Sequence, residues 1–368
     1  MAMLFTPLKM GAQTLPNRIC VPPMCRCLAR EGVGSDELIS HYETLAASGA
    51  GLVVVEATAV RADGRITTRC LGLYNDEQEA FFKKLVKACR AVASTDTKFF
   101  LQLSHCGRKG SRKDPKTGHG TLLPEEGGFA LMAPSAVAYT AQAPMPREMT
   151  EADIAEVLQA FEEAARRAAR VGFDGIQIHA AHGYLVHQFL SPVTNHRTDA
   201  WGGTTQNRLR FAQEVVKAVQ KGAPGLDVMV RLSASDWIEG GADEEQALAL
   251  ASALAELGVC AVDVSSGGID PAQQPPASLT VAHTTFSHHI KEKVGIVTFT
   301  SGGIVEGSRF RPKRFCAHRT PMRFASVARW SRTRVGCGLP RRAWAARCRR
   351  RCLLRRFRFR SLSRGPFL

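Results

Sequence analysis

Short apolar runs recur along this chain of 368 residues, separated by longer mixed segments. They read RICVP at 18–22, GLVVVE at 51–56, KFFLQL at 98–103, DGIQIH at 174–179, DVMVRL at 227–232, CAVDV at 260–264 and VGIVTF at 294–299. Each is short and several are rich in β-branched residues, as expected of parallel strands buried on both faces. Between them the pattern changes to a helical stripe. The clearest helix is expected from Glu151 to Val171, with Ile154, Val157, Leu158, Phe161, Ala165 and Ala168 on one face. Thr150 and Asp153 provide a start resembling a capping box, and Gly172 a stop.

Seven such strand–helix units fit into 1–308, with no break in composition that would mark a linker. Repeated units of this length predict an α/β fold of the (β/α)8 TIM-barrel type. The competing open, doubly wound sheet lacks a GxGxxG after the first strand. The eighth strand and helix should fall in 309–350, where neither period is visible. The expectation is therefore a barrel on 1–308 whose eighth unit is missing or replaced.

Charge sharpens this division. The net charge is +16, yet residues 309–368 hold 19 Arg, one Lys and no Asp or Glu. The preceding 308 residues are mildly acidic. No stretch of eighteen apolar residues is present, so a membrane span is not expected. The N-terminus lacks the charged head and apolar core of a secretory signal. Eleven cysteines are scattered without a CxxC pair. They read as reduced thiols of a cytoplasmic protein.

In a barrel, chemistry sits at the C-terminal ends of the strands. Those ends carry Pro22, Pro23, Met24 and Cys25, then Glu56 and Ala57, then Gln102 to His105, then His179 and His182, and then Arg231. The last two present Gly267 and Gly268, then Gly302 and Gly303. Such glycines let backbone approach a ligand, and late in a barrel they suit a phosphate; each pair is also what a plain turn would use. The stretch HAAHGYL, 179–185, is open to three readings. Its histidines could cap a strand by local hydrogen bonds, bind a metal, or point two N–H donors at one substrate oxygen. A metal is disfavoured, because there is no HExxH and no carboxylate ligand nearby in sequence.

The ordered set PPMC, VEATAV, GRIT, LQLSHCGRKG, APSAV, IQIHAAHGYLVHQFLSPVTNHRTDAWGG, NRLRF and VRLSASD resembles the old yellow enzyme family, FMN-dependent NAD(P)H oxidoreductases that reduce activated C=C bonds. The start through Cys25 is similar to its thermophilic-like branch. The likeness runs from about Leu4 to Gly303. It implies FMN as cofactor, NAD(P)H as reductant and a small-molecule alkene as substrate. It also implies that Pro22, Pro23, Met24, Cys25 and Ala57 contact the flavin ring, that Gln102 meets its pyrimidine edge and that Arg231 sits near N1. His179 and His182 would bind the carbonyl oxygen of an enone or the nicotinamide carboxamide, Tyr184 would be the proton donor, and Gly302 and Gly303 would lie by the phosphate.

The chain departs from the family at two places. Cys27 stands where the branch usually has a substrate-contacting tyrosine. After Gly303, the strand ending in Gly-Arg that grips the FMN phosphate is not recognisable. Three readings of 309–368 compete: a basic extension binding nucleic acid or anionic membrane, a disordered tail, or a change of reading frame near 308–309. Nucleic acid enters only through that segment, and homo-oligomerisation is left open. The alternative to an ene-reductase is an inactive truncated barrel that does not hold FMN and binds polyanions through its tail. A relation to dienoyl-CoA reductases is set aside, since those carry an iron–sulfur cysteine cluster that this chain lacks.

Overall fold

All seven apolar runs form strands in the computed structural model, which describes residues 3–116, 118 and 120–302. They are β1 (Cys20–Val21), β2 (Leu52–Ala59), β3 (Lys98–Ser104), β4 (Gly175–Ala180), β5 (Asp227–Ser233), β6 (Ala261–Ser265) and β7 (Val297–Thr300). They pair in chain order, every neighbour parallel, with Val53 opposite Phe99, Leu101 opposite Ile176, Arg231 opposite both His179 and Asp263, and Asp263 opposite Phe299. Helices α1 (Asp36–Ala46), α2 (Asp76–Val92), α3 (Glu151–Val171), α4 (Leu185–Leu190), α5 (Thr205–Gly222), α6 (Glu244–Glu256) and α7 (Leu279–Val294) lie between them. Among the described residues, only α4 is additional to the one-helix-per-strand plan. The expected eighth unit and the segment 309–368 lie outside the described residues.

Local signals act as the sequence suggests. The Thr150 hydroxyl accepts from the Asp153 N–H, and the Asp153 carboxylate accepts from the Thr150 N–H, so two donors of the first turn of α3 are satisfied reciprocally. Gly172 ends the helix at φ 92°, a conformation that costs a residue with a Cβ. Of the expected stripe, Leu158 sits at its edge and is only half-buried.

The alternation of side chains shows that the sheet is curled. Outward residues such as Val53, Val55, Phe99, Leu101, Ile176, Ile178, Val230 and Val262 pack with the helices in one large core. Inward residues Leu52, Val54, Phe100, Met229 and Ala261 form a second, separate cluster. That cluster joins Cys20 of β1 to Phe299 of β7, so the first and last described strands face a common interior. Its floor is an antiparallel hairpin, Leu8–Met10 with Gln13–Leu15, absent from the sequence reading. Asp227 holds the hairpin tip by accepting from the N–H groups of Ala12 (2.9 Å) and Gln13 (3.0 Å). Gly11 is at φ 55° there, and a Cβ on it would meet the Asp227 carboxylate. No helix among the described residues is long and apolar enough to cross a membrane.

Above the apolar floor, several strands place a polar residue inside: Glu56, Gln102, Gln177, Arg231 and Asp263 are all buried. Glu56 accepts from the Arg26 N–H (2.9 Å) and the Tyr42 hydroxyl (3.3 Å), and burial pushes its carboxyl up to about 8. The folded protein thus holds this proton more tightly than the unfolded chain. Its contribution to stability is fully present below the ordinary carboxyl range and is lost as pH rises through about 8. Glu56→Gln, which keeps the shape and cannot ionise, should flatten the fall in urea midpoint between pH 5 and 8. An unchanged slope would place the titrating group elsewhere.

Candidate functional site

The polar interior residues form one connected line. Gln102 Nε2 donates to Gln177 Oε1 (2.7 Å), and Gln177 Nε2 reaches Asp263 Oδ2 (3.4 Å). Arg231 donates from Nη2 to the Ser301 hydroxyl (2.8 Å), which in turn donates to Asp263 Oδ1 (3.1 Å). Arg231 Nε lies 3.4 Å from Asp263 in an ion pair. Buried, that Nε is still without a hydrogen-bond partner among the described residues, so a donor on a fixed cation is left for something else.

His179 extends from the end of β4, opposite Arg231 in the sheet. Its Nδ1 accepts from the Ala181 N–H (3.3 Å), which puts the ring proton on Nε2. His182 sits two residues beyond the strand at φ 57°, and its Nε2 is 2.7 Å from the Ser265 hydroxyl of β6. Burial, and next the charge of Arg231, push both imidazoles well below their ordinary pKa. Both are neutral at neutral pH. The two rings stand perpendicular with centroids 5.2 Å apart, and Tyr184 meets His179 edge-on at 4.9 Å. Burial pushes the Tyr184 phenol well above its usual range, so it keeps its proton. Both rings make the local hydrogen bonds of the capping reading, through Ala181 and Ser265, and they stand beside the Tyr184 phenol.

The loops that carry these groups are stitched together. Lys109 Nζ donates to the backbone carbonyls of His182 and Gly268 (both 2.7 Å) and lies over the rings of Tyr139 (4.7 Å) and Tyr184 (5.1 Å). Burial, then the nearby Arg108 and Arg112, lower the Lys109 pKa to about 7. Gly183 and Gly268 approach so closely that a Cβ on either would run into the other loop's backbone. Below them, His187 of α4 accepts the Gly183 N–H at Nδ1 (2.9 Å) and pairs with buried Asp236 (2.9 Å).

The remaining expected residues fall around the same strand ends. Pro22, Pro23 and Met24 follow β1, with Cys25 exposed and not packed away as a structural thiol would be. Cys27 is half-buried at φ 54°. Ala57 is buried next to Glu56. Gly302 is left-handed at φ 103°, with its carbonyl accepting from Thr280 (3.2 Å). His283 ties that loop to the Gly267–Gly268 loop, since its Nδ1 donates to the Ser301 carbonyl (2.8 Å) and its Nε2 accepts from Ser266 (2.7 Å). Gly303 lies outside the described residues. The reading from sequence missed Cys70, Lys109 and Asp263. Asp263 carried a signal, a lone carboxylate inside an apolar strand.

Cys25, Cys27, Cys70, Lys109, Tyr139 and Tyr184 line one cavity of about 470 Å³. A planar, partly polar cofactor suits this set. Apart from this lining, the buried line from Gln102 to Arg231 carries donors and acceptors, including the unpartnered Nε.

Comparison with known proteins agrees with this arrangement. Residues 3–311 match the NADH:flavin oxidoreductase / NADH oxidase family. An NADPH dehydrogenase of Listeria welshimeri is 40% identical over 311 residues, 84% of this chain and 86% of the relative. An NADH:flavin oxidoreductase of Gibberella zeae is 39% identical over 322 residues, 83% of this chain and 77% of the relative. Among solved structures, the old yellow enzyme homologue of Zymomonas mobilis is similar with a TM-score of 0.68 at 29% identity, over 82% of each chain. Morphinone reductase is similar with a TM-score of 0.69 at 28% identity, over 88% of this chain and 85% of the other. The chain belongs to the NADH:flavin oxidoreductase / NADH oxidase family, and is an NAD(P)H-dependent oxidoreductase of (β/α)8-barrel type that uses FMN.

Proposed function

We propose that this enzyme reduces activated C=C bonds, as in enones, and that 1–308 is its FMN-binding domain. The meeting of neutral His179 and His182 with protonated Tyr184, beside buried Arg231, carries the reading. FMN, when bound, supplies the hydride it has taken from NAD(P)H. Pro22, Pro23, Met24, Cys25, Ala57, Gln102, Arg231 and Gly302 would hold it, with Gly303 beyond them.

His179 has its proton on Nε2. His182, if Ser265 donates to its Nε2, has its own on Nδ1. Each ring can then donate one hydrogen bond to a substrate carbonyl without adding charge. Two such donors on one oxygen draw electron density from the alkene's Cβ, where hydride arrives. Tyr184 delivers the proton to Cα. Lys109 over its ring favours the phenolate that remains, since a cation is drawn to the ring's electron-rich face. Arg231, fixed by Asp263 and Ser301, contributes a permanent positive charge to the cofactor site. NAD(P)H and alkene would use the cavity in turn, a ping-pong cycle. Cys27, smaller than the tyrosine usual in the branch, leaves more room there for substrate.

The first test is the visible spectrum of purified, desalted protein, with FMN supplied. Bound flavin that bleaches with NADPH without oxygen, followed by enone reduction, is the expected outcome; a folded protein that takes up no flavin overturns the reading in favour of an inactive barrel. In a flavin-loaded His179→Asn variant, kcat/KM for a cyclic enone should fall about a hundredfold, the cost of losing one oxyanion-type donor. Tyr184→Phe should slow reoxidation by the enone by about a hundredfold or more while NADPH still bleaches the flavin. Equal slowing of both half-reactions would argue against a proton-donor role.

A further inference from the structure

We propose that the mouth of the cavity is an anion subsite, built on Arg112 with Lys113, that selects alkenes carrying a carboxylate at their far end. The inference rests on the ene-reductase reading above and names the class of its substrate.

The cavity is lined by Lys109, Arg112 and Lys113, and no carboxylate lines it among the described residues. The three cations are not equivalent. Lys109 is committed to two backbone carbonyls at depth. Lys113 reaches outward to Glu126 at 2.9 Å. Arg112 is half-buried, and its guanidinium has no hydrogen bond or ion pair among the described residues. The nearest acid in sequence, Asp114, pairs with Arg69.

Arg112 is nonetheless held firmly. Its N–H donates to the Ile66 carbonyl (2.9 Å), and it bridges both Thr67 and Thr121. Ser111 before it is fully buried at φ 52°, with its hydroxyl donating to the Leu122 carbonyl and accepting the Phe129 N–H. A rigid backbone therefore presents a planar fork of donors into a pocket shared with Tyr184, a geometry that matches a carboxylate in bidentate fashion. Burial is the main cause of the lowered Lys109 pKa, and Arg108 and then Arg112 add a repulsion that a bound anion would relieve. The apolar part of the wall, Ile66, Cys70 and Pro115, suits a hydrocarbon body between the two ends.

The test compares the flavin-loaded enzyme on cyclohex-2-enone and on a cyclohexenone bearing a ring carboxylate, in wild type, Arg112→Gln and Arg112→Lys. Wild type should favour the acid in kcat/KM, and this preference should shrink as salt rises. Arg112→Gln should lower the preference about tenfold or more, the scale of one charge-assisted hydrogen bond, and Arg112→Lys should restore part of it. A wild-type enzyme that reduces the neutral enone but shows no preference for the acid overturns the inference and leaves the ene-reductase reading intact. If Arg112→Gln raises KM for NADPH but not for NADH, and leaves the acid preference unchanged, the subsite belongs to the reductant's phosphate and the substrate assignment falls. No reduction of either enone by flavin-loaded wild type would instead sink the ene-reductase reading itself.

Discussion

A guanidinium inside a curled parallel sheet is the constraint from which the site follows. Taking a charge out of water costs several kcal/mol even after relaxation, so Arg231 is tolerable only with a partner of opposite charge and good geometry. Asp263 on the adjacent strand supplies the charge, and Ser301 closes the triangle by accepting from one and donating to the other. The amides of Gln177 and Gln102 extend the same line across two more strands. Five strand ends are thereby fixed relative to each other by polar contacts, above a floor that is purely apolar. The same cation sets the chemistry of its neighbours. It disfavours a second positive charge nearby and so helps keep His179 and His182 neutral, as donors that add no charge of their own.

The wall above this layer is made of loops, and loops need other means of being held in place. Here the means are covalently cheap and geometrically strict. Lys109 bonds two carbonyls from two different loops, and two left-handed glycines let those loops touch. Asp236 and His187 form a buried pair beneath them, so the short helix α4 is anchored to the loop after β5. The histidines and Tyr184 thus owe their mutual placement to residues that need touch no substrate.

Much of this was legible in the sequence, and for a physical reason. Strands buried on both faces are nearly uninterrupted apolar runs, so all seven stood out, and α3 announced both its ends through Thr150, Asp153 and Gly172. The floor hairpin did not, because its three-residue strands are too short to show alternation. At the site, His179, His182 and Tyr184 stood out at a strand end, while their roles, and the interest of Cys27, came from the family pattern. Asp263 was overlooked because one polar residue in a strand carries no label of its own. Its meaning appears only when Glu56, Gln102, Gln177 and Arg231 are seen to occupy the same interior side. Lys109 was quoted within LQLSHCGRKG, yet its work is long-range, reaching loops more than seventy residues away.

Cys27 shows how the shape and charge of the cavity arise on one frame. The loop after β1 is pinned at the Arg26 N–H by buried Glu56, so the cysteines on either side of that anchor cannot withdraw from the pocket wall. Cys27 accepts a left-handed backbone there, a conformation that costs of order 1–3 kcal/mol for a residue other than glycine and persists only where its surroundings enforce it. Its thiol lies against that of Cys70, whose own sulfur is fixed by the Thr67 N–H (3.3 Å). This side of the cavity is therefore made of small, soft side chains on a rigid frame, and it sets the room available. Arg112 and Lys113, which line the same cavity, come from a different loop and set its charge. Thr67, which fixes the Cys70 sulfur, also bridges Arg112, whose N–H donates to the Ile66 carbonyl, so one frame holds both the thiols that set the width of the cavity and the cation that sets its charge.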